Sequence, residues 1–176
     1  MSRLLSDIFA LGCASLEREE QFLRGQAERD GQVGGLLAVD DICFCQYVFI
    51  RAVLPKFHAT HAFTREGRRV GELVVKHDRK QHCFLVLDHW KDEPADVLEA
   101  AVDRLAGQKA EAYLVVISAN RFGETEERQR LVEGLGGVGE KAAERRFPAR
   151  TASGEENELW VAAWRVPRRT GAEADP

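Results

Sequence analysis

No stretch of about 18 consecutive apolar residues occurs, so the sequence offers no segment that would cross a bilayer as a helix. The first residues, Met1-Ser2-Arg3-Leu4-Leu5-Ser6-Asp7, have no long apolar core and meet an acid at once, so no secretory leader is expected. Positive charge is not in excess. In 176 residues, 25 Lys and Arg face 29 Asp and Glu, a net charge of −4. That balance argues against a general nucleic-acid coat and leaves room for a local basic groove. Cysteine is scarce, and Cys43-Phe44-Cys45 has one intervening residue where zinc knuckles use about two to four. Cys13, Cys43, Cys45 and Cys83 all sit in apolar company and read as reduced core thiols of a cytoplasmic protein. Gly31, Gly34 and Gly35 do not form Gly-x-Gly-x-x-Gly and no strand pattern precedes them, while His-Glu-x-x-His and Gly-x-Ser-x-Gly are missing, so a dinucleotide loop there, a helical zinc site and a nucleophile elbow have no support. No internal repeat is visible.

Apolar residues make up 44% and charged residues 31% of the chain, the mix of a protein that can bury a core, and the length suits one domain. Leu5, Phe9, Gly12, Leu16 and Leu23 recur at helical spacing, with Glu17 to Glu20 as a wet face. Residues 1–35 therefore read as an amphipathic helix and a Gly-rich loop attached to a core domain, 36–166. Residues 42–54 form a dense apolar run between Asp41 and Pro55. Length favours a helix there, while the β-branched and aromatic content keeps a strand open. Residues 57–64, 69–76 and 82–89 read as a strand meander, the last apolar on both faces as in a covered central strand. A helix over 94–106 stops at Gly107 and leads into the apolar strand 112–118. Helices are expected over 124–135 and 139–147 and a final strand over 159–166. The tail 167–176 has no periodicity and is expected to be disordered. The crossover through 94–106 should return a strand parallel to the third. The fold class expected is α/β (α+β), a mixed central sheet of four to five strands flanked by helices.

Helix, three meandering strands, helix, strand is an order that resembles the PD-(D/E)xK nuclease superfamily. The text Phe84-Leu-Val-Leu-Asp-His-Trp-Lys-Asp92, feeding a helix and then Ala112-Tyr-Leu-Val-Val-Ile-Ser118, is similar to restriction-endonuclease-like bacterial domains over about residues 41–135. In those a strand ending in Glu-x-Lys and a nearby Trp precede the helix. The resemblance implies a catalytic set of Glu72, Asp88 and Lys91, with Glu72 and Asp88 holding Mg²⁺, an oxygen-seeking cation, and Asp40 or Asp41 as the candidate for a further acid. The bound metal would polarise a phosphodiester and activate water. The spacing departs from the pattern, because Asp88 and Lys91 are separated by two residues. Positions three apart in a regular strand face opposite ways, so the pair converges only through a bulge or at the strand end. Alignment on Trp90 instead puts Val86, which cannot bind metal, at the carboxylate position. His89-x-Lys91 keeps the spacing with a poor Mg²⁺ ligand.

The resemblance thus implies two functions. One is a worn, non-catalytic or weakly active site on a domain that binds a protein partner, with no cofactor. The other is a Mg²⁺-dependent nuclease acting on DNA or RNA. A homodimer through the first helix is a further partner, nucleic acid a second partner class, and no membrane association is expected. His89, Arg121 and Phe122 are the candidate contacts for nucleic acid or partner. The latter two lie just beyond the carboxyl end of a strand, the rim where open α/β sheets bind ligands. His58, His61, His77, His82 and His89 lie along the meander without metal spacing. Arg145, Arg146, Arg150, Arg165, Arg168 and Arg169 make the C-terminal third locally basic, a phosphate-contacting surface or simply a solvated face.

Overall fold

In the computed structural model the chain builds one six-stranded sheet between two helical layers. The structure describes residues 2–39, 44–57, 59–63, 70–89, 95–119 and 139–168. In chain order the elements are α1 (Arg3–Arg29), α2 (Phe44–Val53), β1 (Ala59–Phe63), β2 (Val70–His77), β3 (Lys80–His89), α3 (Ala95–Ala106), β4 (Glu111–Ala119), β5 (Glu140–Arg150) and β6 (Glu156–Val166). The sheet order is β1-β2-β3-β4-β6-β5. All neighbours are antiparallel except β3 and β4, which run parallel across the α3 connection. The sheet is therefore mixed as expected, with six strands where the sequence pattern gave four to five.

The central strands form where both alternating rows of side chains are apolar. Cys83 to Val86 on β3 and Ala112 to Ile117 on β4 are all buried, the pattern of strands covered on both faces. One row, including Leu73, Phe84, Val115 and Ile117, packs with Leu5, Ile8 and Leu16 of α1 and Val48, Phe49 and Ile50 of α2. The opposite row, including Leu85, Leu114, Trp160 and Trp164, packs with Ala101 and Leu105 of α3. The two indoles meet edge to face at 5.7 Å. Within the 42–54 run, the described residues Phe44–Val53 form a helix. Its polar interruption, Gln46, is 1% exposed and donates from Nε2 to the Val86 carbonyl at 2.5 Å, which satisfies a buried amide.

Two expectations change. Residues 139–147 are not a helix, and 140–147 belong to β5. Glu-Lys-Ala-Ala-Glu-Arg-Arg is a run of good helix formers, yet pairing with β6 through the Thr151–Glu155 turn overrides that preference. Glu20, placed with the wet face of α1, is 4% exposed. The apolar stripe of α1 lies within the same cluster as α2 and the sheet. Ser2 caps α1, its hydroxyl accepting from Leu5 N at 3.2 Å. The helix expected over 124–135 and the tail 169–176 lie outside the described residues.

Candidate functional site

Glu72 sits in the middle of β2, opposite Leu85 of β3. It shares the α3-facing row, where its carboxylate pairs with the Arg104 guanidinium. Arg104 stands in the last turn of α3, where a cation complements the helix dipole. Next to this pair lies Cys83, whose thiol is pushed up to about 11, first by burial and then by the Glu72 charge. That thiol is not a nucleophile at neutral pH.

Asp88 pairs with Ile117 across the parallel β3–β4 ladder, and His89 with Ser118. The β2–β3 register runs without a shift from His77↔Lys80 to Val70↔Leu87, and the β3–β4 register likewise from His82↔Glu111 to His89↔Ser118. With a period of two, Leu85, Leu87 and His89 belong to the row of Glu72, and Asp88 belongs to the row of Val86 and Ile117. The ladder thus brings the His89 position, not the Asp88 position, into the row of Glu72. Lys91, Trp90, Arg121, Phe122, Asp40 and Asp41 lie outside the described residues. For Mg²⁺, the described donor set is a single carboxylate already held by a guanidinium, and its neighbour in the row is a thiol. The side chain of Asp88, the second carboxylate of the expected set, lies outside the described residues.

A second polar group lies on the other face of the sheet, at the end where β3 and β4 begin. His82 and Glu111 are level in the register, and His82 Nδ1 stands 3.5 Å from Glu111 Oε2. The Tyr113 hydroxyl donates to Glu111 at 2.9 Å and meets the Ser2 hydroxyl at 3.3 Å, tying this cluster to the start of α1. The His82 ring stacks on Tyr113 at 6.4 Å, and Tyr113 on Phe84 at 4.9 Å. Burial lowers the His82 pKa, against an upward pull from Glu111. The Tyr113 hydrogen bond draws the Glu111 pKa down, and burial raises that of Tyr113. In the sequence the histidines form a scattered set. Only the parallel register, which no local pattern reveals, places His82 beside Glu111.

The basic C-terminal third divides in two. Arg145 pairs with Glu17, Arg146 with Glu144, and Arg150 with Glu28, so half of the basic surface seen in the sequence is internally matched. Cys13, Cys45 and Cys83 are buried, as the sequence indicated, and Cys43 lies outside the described residues. Among the described residues no three His, Cys, Asp or Glu side chains converge as metal ligands, and no helix is long and apolar enough to cross a membrane. No protein-family model matches the chain, and no curated protein matches it.

Proposed function

We propose that the chain is a restriction-endonuclease-like domain that works by holding a protein partner rather than by cutting phosphodiesters. The observation that carries this reading is the engagement of Glu72 by Arg104. A carboxylate that must collect a divalent cation would first have to give up that partner, and its row does not include the Asp88 position. The order β1-β2-β3-α3-β4, with β3 and β4 parallel, supports the likeness to the nuclease superfamily at the level of architecture, and architecture alone carries no activity. On the helical side, Phe22 of α1 is 57% exposed and Tyr47 of α2 is 45% exposed. Aromatic residues of this kind are enriched at protein interfaces.

Full-length protein incubated with plasmid, single-stranded DNA and RNA in Mg²⁺ or Mn²⁺ is expected to leave all three intact. A partner captured by the parent chain is expected to be lost from a Phe22→Ser/Tyr47→Ser variant of unchanged melting temperature. Metal-dependent cutting that disappears in both Glu72→Ala and Asp88→Ala would overturn the reading in favour of a nuclease built on Glu72, Asp88 and Lys91.

A further inference from the structure

Most of the described arginines are matched by carboxylates of this chain. Arg24 holds Glu20 and Glu156, Arg104 holds Glu72, and Arg145, Arg146 and Arg150 hold Glu17, Glu144 and Glu28. One end of the sheet breaks this habit. There Lys80 opens β3, Lys109 precedes β4, Arg165 lies near the end of β6 and Arg168 just beyond it. Among the described residues, none of these four has a carboxylate within 4.0 Å.

The four cations line two adjoining clefts. The larger, of about 400 Å³, takes in Arg165, Arg168, Gly139 and Glu140. The smaller, of about 360 Å³, takes in Lys80, Lys109 and Arg168. Ala110, Glu111 and Arg168 belong to both. Of the two lining acids, Glu111 accepts from Tyr113, stands beside His82 and feels the charges of Arg165 and Lys80, and Glu140 is level with Arg165 in the β5–β6 register. Cations gathered in a concavity raise one another's energy until an anion arrives, and the low-dielectric walls focus their field. In a chain with more acids than bases, four cations against the two lining carboxylates leave the clefts with an excess of positive charge.

We propose that this end of the sheet binds a compact phosphate ester, a small molecule bearing a monoester or diphosphate group. Guanidinium forks and lysine ammonium groups are the donors that phosphate oxygens favour. Lys80 and Arg165 come from β3 and β6, the strands on either side of β4. Two strand spacings and an offset of four residues along β4 set their backbones roughly 16 Å apart, and Arg168, which lines both clefts, joins the two groups. Ala110, Ala112 and Gly139 line the clefts with little bulk, and no aromatic ring does so. A nucleic-acid strand would want rings on which to stack its bases, so the lining favours compact charge over a polymer. The proposal is independent of partner binding, because it uses neither Phe22 nor Tyr47.

Pyrophosphate is the probe, with sulfate as the control for a simple anion. Titration calorimetry on the full chain is expected to show pyrophosphate binding that weakens at least tenfold in Arg165→Gln/Arg168→Gln. Both side chains are exposed, so that variant should melt in buffer like the parent. Arg29→Gln removes one positive charge at the far end of α1, roughly 40 Å along the helix from the Ser2 end, and should bind as the parent does. Amide shifts in the unaltered protein should fall at residues 80–81, 109–112, 139–140 and 165–168. The proposal is overturned by no binding near about 1 mM pyrophosphate, a level that would leave less than about 4 kcal/mol of affinity. It is equally overturned by sulfate binding as tightly, by equal weakening in Arg29→Gln, or by shifts elsewhere. Oligothymidylate or polyglutamate binding without a pyrophosphate response would assign the surface to a polymer and sink the small-ligand class.

Discussion

Glu20 shows how a single side chain can organise distant segments. Its Oε1 accepts from Arg24 Nε at 3.1 Å and from the Arg150 backbone N–H at 3.0 Å, and its Oε2 accepts from Leu36 N–H at 2.5 Å. A carbon side chain at Gly35 would lie 2.5 Å from that carboxylate, which explains the glycine there. Glu20→Ala strips several donors of their acceptor inside the protein, and is expected to cost about 3 kcal/mol or more in urea unfolding. Glu20→Gln, which keeps one acceptor oxygen, should cost less. Glu144 offers a test by pH. Lys141, Trp160 and Arg146 donate to it and pull its pKa down to about 2 from an ordinary 4.5, with the Lys141 contact first in weight. A depressed carboxylate stabilises the fold above its unfolded pKa and stops doing so as protonation sets in. The melting difference between the parent and Glu144→Gln is therefore expected to be full above pH 4.5 and to shrink as pH falls toward 2. Residues of this kind were the least legible in the sequence. Four consecutive charged positions, Glu17 to Glu20, look like one solvated face, and nothing local says that the last of them meets a strand 130 positions away. The same holds for Glu72. Its place on a strand of the meander was readable, but its partner Arg104, 32 positions on, was not.

At the scale of elements, legibility followed burial. Strands β3 and β4 could be read because both of their rows are apolar, and α2 because a 13-residue strand would be unusually long. Strand β5 could not. Its α1-facing row carries Ala143, Phe147 and Ala149 but is interrupted by Arg145, whose charge is met by Glu17 from α1. Its other row presents Glu144 to the Trp160 indole N–H at 2.9 Å. Alternation is present in space and hidden in the text, because charges fill inward positions and are neutralised from another element. The crossing of α1 and α2 makes a second element-scale test. A Cβ at Gly12 would run into the Phe49 ring. Alanine is the better helix former by about 1 kcal/mol, yet Gly12→Ala is expected to lower stability by about 1–3 kcal/mol through overpacking. Gly12→Ala with Phe49→Leu should recover part of that loss in a double-mutant cycle. A Gly12→Ala protein as stable as the parent would mean that the helices do not cross there.

For the molecule as a whole, the two clusters share one sheet, so neither face can be removed without exposing the other's floor. A chain lacking residues 1–35 is expected to lose its cooperative thermal transition, because the sheet row lined by Phe84, Val115 and Ile117 loses its α1 cover. A folded, monomeric product would show that the first helix is dispensable. Amide exchange should be slowest in β4, which is buried along both rows and bonded on both sides, and faster in the edge strands β1 and β5. This layering explains what the sequence could convey about architecture. Mixed topology and two-sided cover follow from apolar rows and a crossover helix, while the sixth strand depended on contacts between the two ends of the chain.

Those end-to-end contacts bear on how the protein is made. Glu20 emerges from the ribosome 130 residues ahead of the Arg150 backbone group it must bind, a wait on the order of ten seconds at ordinary translation speeds. Until the final hairpin is finished, the opening helix carries a carboxylate destined for the interior with only part of its complement. Premature termination after β4 would thus release a nascent chain whose first segment can dock on α2 but cannot be sealed, a natural client for chaperones and proteases.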